Sequence, residues 1–77
     1  MTMSKPYVVG IDIGGTNTVF GIVDARGTII ASGSIKTNKF NEVEDYVNEL
    51  HTELFRLLEQ NNATDKIMGI GVGAPNG

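Results

Sequence analysis

The chain has 77 residues, fewer than the roughly 100–200 that a domain usually takes, and at this size folding hides only about 60 % of the unfolded surface. Its residues are 40 % hydrophobic and 19 % charged, a balance that fits a folded unit and excludes a disordered tail. Six basic and nine acidic residues leave a net charge of −3, with no cysteine and one histidine. These counts exclude a cationic footprint for nucleic acid or anionic lipid, a disulfide framework, a thiolate metal site and a cysteine nucleophile. The opening residues 1–6 lack the apolar run of a secretion signal, and no stretch approaches the roughly 20 apolar residues of a membrane span. A soluble, cytoplasmic protein with no membrane or nucleic-acid partner is expected.

Residues 7–13 read Y-V-V-G-I-D-I, a β-rich run suited to a central strand. Alternation sets Tyr7, Val9, Ile11 and Ile13 on one face, and Val8, Gly10 and Asp12 on the other. Gly14-Gly15 interrupts the run, and residues 18–23 resume it as a second strand. Asp24-Ala25-Arg26-Gly27 reads as a turn, with a capping Asp first and a permissive Gly last. Residues 28–35 form a third strand. The short connections make these strands an antiparallel meander.

Asn41 and Glu44 have the spacing of a capping box. From there Val43, Tyr46, Val47, Leu50, Leu54, Leu57 and Leu58 recur at helical spacing as one apolar stripe. Tyr46 and Phe55 are read as core-packing residues, and His51 as a boundary or surface residue. Asn61-Asn62 ends the helix, since Asn tolerates the left-handed conformation of a helix cap. Residues 67–72 give a fourth strand, closed by Gly73-Ala74-Pro75-Asn76-Gly77. A strand, a crossover helix and a further strand imply a parallel connection. The expected order is β-β-β-α-β in a mixed sheet, with β1 between β2 and β4. One face of the sheet and an edge are left uncovered, so self-association is expected.

The stretch that points to chemistry is Gly10-Ile11-Asp12-Ile13-Gly14-Gly15-Thr16-Asn17. It sets a carboxylate at the end of a strand, then two glycines, then a hydroxyl. Glycine pairs let successive amides point into one concavity that favours phosphate oxygens. Thr16 and Asn17 add side-chain donors, and Asp12 can hold a magnesium ion or its water shell. The segment therefore reads as a holder for the terminal phosphates of Mg·ATP. An ordinary tight hairpin would use the same glycines, but a carboxylate buried between Ile11 and Ile13 without purpose would be costly. No Gly-Lys-Ser/Thr opens a helix, so a Walker A loop is absent. Gly69, Gly71 and Ala74 match the dinucleotide spacing, yet Pro75 and Asn76 follow where a helix should begin.

These residues resemble the first phosphate motif of the superfamily of sugar kinases, acetate kinase, the 70-kilodalton heat-shock chaperones and actin. More narrowly, the chain is similar to the N-terminus of a ROK-family (repressor, open reading frame, kinase) glucokinase. The G-I-D-I-G-G-T start, the V-D-x-x-G-x-I-I turn at residues 23–30 and G-I-G-V-G-A-P at residues 69–75 carry that resemblance. It implies an α/β, ribonuclease-H-like (actin-like ATPase) half domain, incomplete by itself, with residues 1–77 as the N-terminal part of the first lobe. It also implies phosphate held by Gly14, Gly15 and Thr16, and a metal approached by Asp12. Asn17 stands where many relatives have lysine, which removes a charge contact. Gly73-Ala74-Pro75 stands where the family has Pro-Gly-Pro, and because that loop borders the sugar pocket in relatives, the resemblance implies Ala74, Pro75 and Asn76 as neighbours of the sugar.

The family's general base, its sugar-binding glutamate-histidine segment, its structural zinc cluster and its adenosine lobe have no counterpart in these residues, so no catalytic residue is expected in this chain. The resemblance implies an ATP-dependent hexose kinase of homo-oligomeric form, using magnesium and acting on glucose or a related hexose. By itself the segment is expected to phosphorylate nothing. The alternative is a ROK-type transcriptional repressor or sugar-sensing module. Repressors carry a helix-turn-helix before the phosphate motif, and only six residues precede Tyr7, which favours the kinase.

Overall fold

The computed structural model describes residues 6–74. Its elements run β1 (Tyr7–Ile13), β2 (Asn17–Val23), β3 (Ile29–Lys36), α1 (Val43–Gln60) and β4 (Ile67–Gly73). The expected order holds, and each boundary lies within one residue of its sequence-based position. The four strands form one mixed sheet in the order β3-β2-β1-β4. β1 pairs antiparallel with β2 and parallel with β4, while β2 pairs antiparallel with β3. β1 is thus central, as its apolar sequence requires.

Register follows from period-2 alternation. Val9 lies opposite Ile22 and Ile11 opposite Phe20, and Phe20 in turn lies opposite Gly33. That face meets α1, and the core gathers Val9, Phe20, Ile22, Ile35, Leu54, Leu58 and Ala63. The β2–β3 turn is fixed by Asp24, whose Oδ1 accepts from the amides of Arg26 and Thr28 at 2.9 Å each. Gly27 adopts φ 85° there, a conformation that glycine reaches without strain.

The helix departs from expectation at its start. Its N-cap is Glu42, in extended conformation with no side-chain cap bond, so the Asn41–Glu44 capping box does not form. Glu44 and Asp45 still occupy the first turn, where they suit the helix dipole. The C-terminus closes as the asparagines imply. Asn62 takes φ 53°, its amide donates to the Glu59 carbonyl at 3.2 Å, and that of Ala63 donates to the Leu58 carbonyl at 2.8 Å. This is a Schellman closure, with Ala63 and Leu58 buried together.

The apolar stripe of α1 is only partly used. Leu54 and Leu58 are buried, but Val43, Val47 and Phe55 stay exposed. Phe55 is therefore no core residue; its ring packs edge-on against His51, centroids 4.4 Å apart. Ile67 at the start of β4 is drawn in against the same core, but the helix packs chiefly over β3. Ile70 and Val72, which share the helix-side face with Val9 and Ile11, consequently remain 60 % and 62 % exposed.

Candidate functional site

Strand β1 turns into β2 through a hairpin whose tip is Gly15-Thr16. The Gly14 amide donates to the Asn17 carbonyl at 2.9 Å and closes the turn. A Cβ on Gly14 would meet that same carbonyl oxygen at 2.8 Å, so the hairpin itself demands glycine here. Gly15 is different: a Cβ there would have nothing within 4 Å, and the residue is exposed. Among the described residues, neither glycine has a positive φ. The glycine pair thus forms a tight hairpin, and the Gly14 amide is already engaged. The groups left facing outward are at Gly15, Thr16 and Asn17, all exposed.

Asp12 was expected in a low-dielectric setting between Ile11 and Ile13. It is exposed. Alternation turns both isoleucines toward the helix side and Asp12 toward the opposite face, which no described element covers. Its Oδ1 lies 3.9 Å from where a Cβ on Gly73 would sit, so the carboxylate leans over the end of β4. Ala74 follows immediately and is exposed; Pro75 and Asn76 lie outside the described residues. The hairpin after β1 and Ala74 after β4 thus emerge side by side at one end of two paired parallel strands.

The face that carries Asp12 has an unusual relief. Ser32, Gly21, Gly10 and Gly71 lie opposite one another across all four strands. With three glycines and one small serine this row is a trough, part of an open depression of about 300 Å³ bordered by Asp12, Val19 and Ile29. Among the described residues, no group of three or more His, Cys, Asp or Glu side chains is placed to hold a metal. Asp12 is then a single carboxylate. That fits magnesium, which keeps most of its water and takes one or two carboxylates together with substrate phosphates.

A polar cluster behind the hairpin was missed by sequence reasoning. Thr18 is fully buried, and its Oγ1 lies 2.7 Å from Thr37 Oγ1 and 2.6 Å from the Tyr46 hydroxyl. The signal was present: period-2 reading of β2 places Thr18 on the same inward face as Phe20 and Ile22.

No family model matches the chain. Nineteen residues, 25 % of this chain and 76 % of the curated relative, are 79 % identical to a glucomannokinase of Segatella bryantii. Over 88 % of its length the chain superposes, with TM-score 0.68 and 26 % identity, on a ROK-family glucokinase of Streptomyces griseus solved with glucose and AMPPNP. The chain belongs to the ROK family of sugar kinases. A second structure, assigned as a sugar kinase of Cytophaga hutchinsonii, matches 87 % of the chain with TM-score 0.65 and 28 % identity. The sheet and helix of this ROK chain accordingly have the actin-like ATPase fold. The chain spans 20 % and 21 % of the length of these two solved structures. Among the described residues, no helix is long and apolar enough to cross a membrane.

Proposed function

We propose that this chain is the phosphate-holding part of the first lobe of an ATP-dependent hexose kinase, acting on glucose or a closely related sugar. The observation that carries the proposal is the contrast between Gly14 and Gly15. The hairpin consumes Gly14 for its own closure, whereas nothing in the fold requires a glycine at Gly15. A bare, exposed backbone at a hairpin tip is what close approach by phosphate oxygens requires. Family membership and the glucose and AMPPNP bound to the Streptomyces relative support the same pair of substrates.

In this reading Gly15, Thr16 and Asn17 hold the terminal phosphates of ATP, with Gly14 shaping the turn that presents them. Asp12 holds magnesium through its water shell, and magnesium supplies neutralisation of the phosphate charge. Ala74, Pro75 and Asn76 border the sugar. The γ-phosphoryl group passes in line to a sugar hydroxyl, so the chain contributes positioning and electrostatics while the base belongs to other parts of the kinase. The active protein is a homo-oligomer, for which the uncovered apolar residues of the sheet leave material.

The test is a coupled sugar-phosphorylation assay on the full-length kinase and its Gly15→Asp variant. A carboxylate at the hairpin tip would repel phosphate without a clash inside the fold. Loss of ATP-dependent turnover with an unchanged melting temperature supports the proposal; unaltered kinetics in ATP would refute it.

A further inference from the structure

From the buried hydroxyl cluster we infer that Thr18 is a positioning residue of the phosphate loop, acting through Thr37 and Tyr46; the inference rests on the proposed phosphate role of the hairpin. Thr18 lies on β2 opposite Ile13, the last residue of β1 before the glycines. It is fully buried, and a hydroxyl there costs stability unless it is bonded. It is bonded twice, to side chains that are 19 and 28 residues away in sequence. With one proton and two lone pairs, Thr18 Oγ1 can satisfy both partners at once, which ties the three hydroxyls into one connected network.

Thr37 connects this network to the loop. Its amide donates to the carbonyl of Thr16 at 2.8 Å, so one residue grips the hairpin tip by its backbone and Thr18 by its side chain. Tyr46, in the first turn of α1, supplies the far anchor. Its ring is itself held edge-on by Phe40 at 6.1 Å between centroids. Gly15 and Thr16 are exposed, and this Thr16–Thr37 bond joins the tip to the β3–α1 connection. The cluster therefore sets where the Thr16 backbone stands relative to the helix. An apolar residue at Thr18 would fill the same space but would take a partner from the Thr37 and Tyr46 hydroxyls and leave the tip without that reference.

The test measures KM for ATP and for sugar separately in the full-length kinase, with melting temperatures. Thr18→Val keeps the shape and removes the hydroxyl. It is expected to raise KM for ATP about fivefold, the scale of one lost hydrogen bond, at unchanged KM for sugar. Thr18→Ser, which restores the hydroxyl, is expected to return KM for ATP to within about twofold of the parent. If Thr18→Val does not accumulate as folded protein, Tyr46→Phe and Thr37→Ala carry the same comparison from the rim of the cluster.

An unchanged KM for ATP in these variants overturns the inference, as does a parallel rise in both KM values tracking a lower melting temperature. Gly15→Asp separates the two levels of argument. If that change abolishes ATP use while the hydroxyl variants do nothing, the loop binds phosphate and only the positioning role fails. If Gly15→Asp is also silent, the phosphate reading itself fails.

Discussion

The ring of Phe20 occupies the space that a side chain on Gly33 would need. A Cβ on Gly33 would lie 2.9 Å from Phe20 Cε2 and 3.0 Å from Cζ, and the ring is only 3 % exposed. It is part of the core cluster, so making room for a Cβ would displace packed side chains. Gly33→Ala is therefore expected to destabilise the fold by about 1–3 kcal/mol, the usual cost of overpacking. Thermal melting checks this. Adding Phe20→Leu should recover part of the loss, because the two residues are in contact and their effects are not additive.

The two hairpin glycines should respond oppositely. Gly14→Ala meets backbone, which cannot yield, and is expected to cost about 1–3 kcal/mol of stability. Gly15→Ala meets nothing and should leave the melting temperature unchanged while weakening ATP binding about tenfold, a difference of about 1.4 kcal/mol. Melting curves and nucleotide titration on the same pair of proteins decide the matter.

Asp12→Asn should leave stability within about 0.5 kcal/mol of the parent, because the carboxylate is exposed and away from core packing. In the full-length kinase the same change is expected to lower kcat about 100-fold or more, since misplacing metal and phosphate removes roughly 3 kcal/mol of transition-state stabilisation. Sugar affinity without nucleotide should stay put. A variant that melts early yet turns over normally would make Asp12 a structural residue.

Asn62 holds a left-handed φ of 53° at the end of α1. Replacing it by alanine is expected to cost about 1 kcal/mol, and replacing it by glycine to cost nothing, because only a Cβ is penalised there. Chemical denaturation of both variants measures the difference.

Much of this fold was legible because strands and helix announce themselves through local alternation. Val9, Leu54 and Leu58 face the core that their spacing implied. Alternation separates two faces but does not say which one is covered, and that is why Asp12 was misjudged as buried. Asn41 and Glu44 had capping-box spacing, yet the chain enters the helix one residue later, at Glu42; spacing alone does not set the dihedral angle at which a helix begins. At the candidate site, the glycine pair was visible and its division of labour was not. That division depends on where the Asn17 carbonyl lies in space. Thr37 and Tyr46 were out of reach for the same reason, since they join Thr18 only after β3 and α1 have folded back over the sheet.

The trough of Ser32, Gly21, Gly10 and Gly71 bears on how variants of this protein will be read. A Cβ added at Gly10 or Gly71, as in an alanine substitution, would meet nothing within 4 Å. The sheet would not register such a change, and the isolated chain should melt as before. Any loss of function from it would therefore report on a surface lying against the trough and not on the sheet. Set beside a core substitution, this gives a genetic way to tell damage to folding from damage to assembly, with each class of variant assigned to its own row of the same four strands.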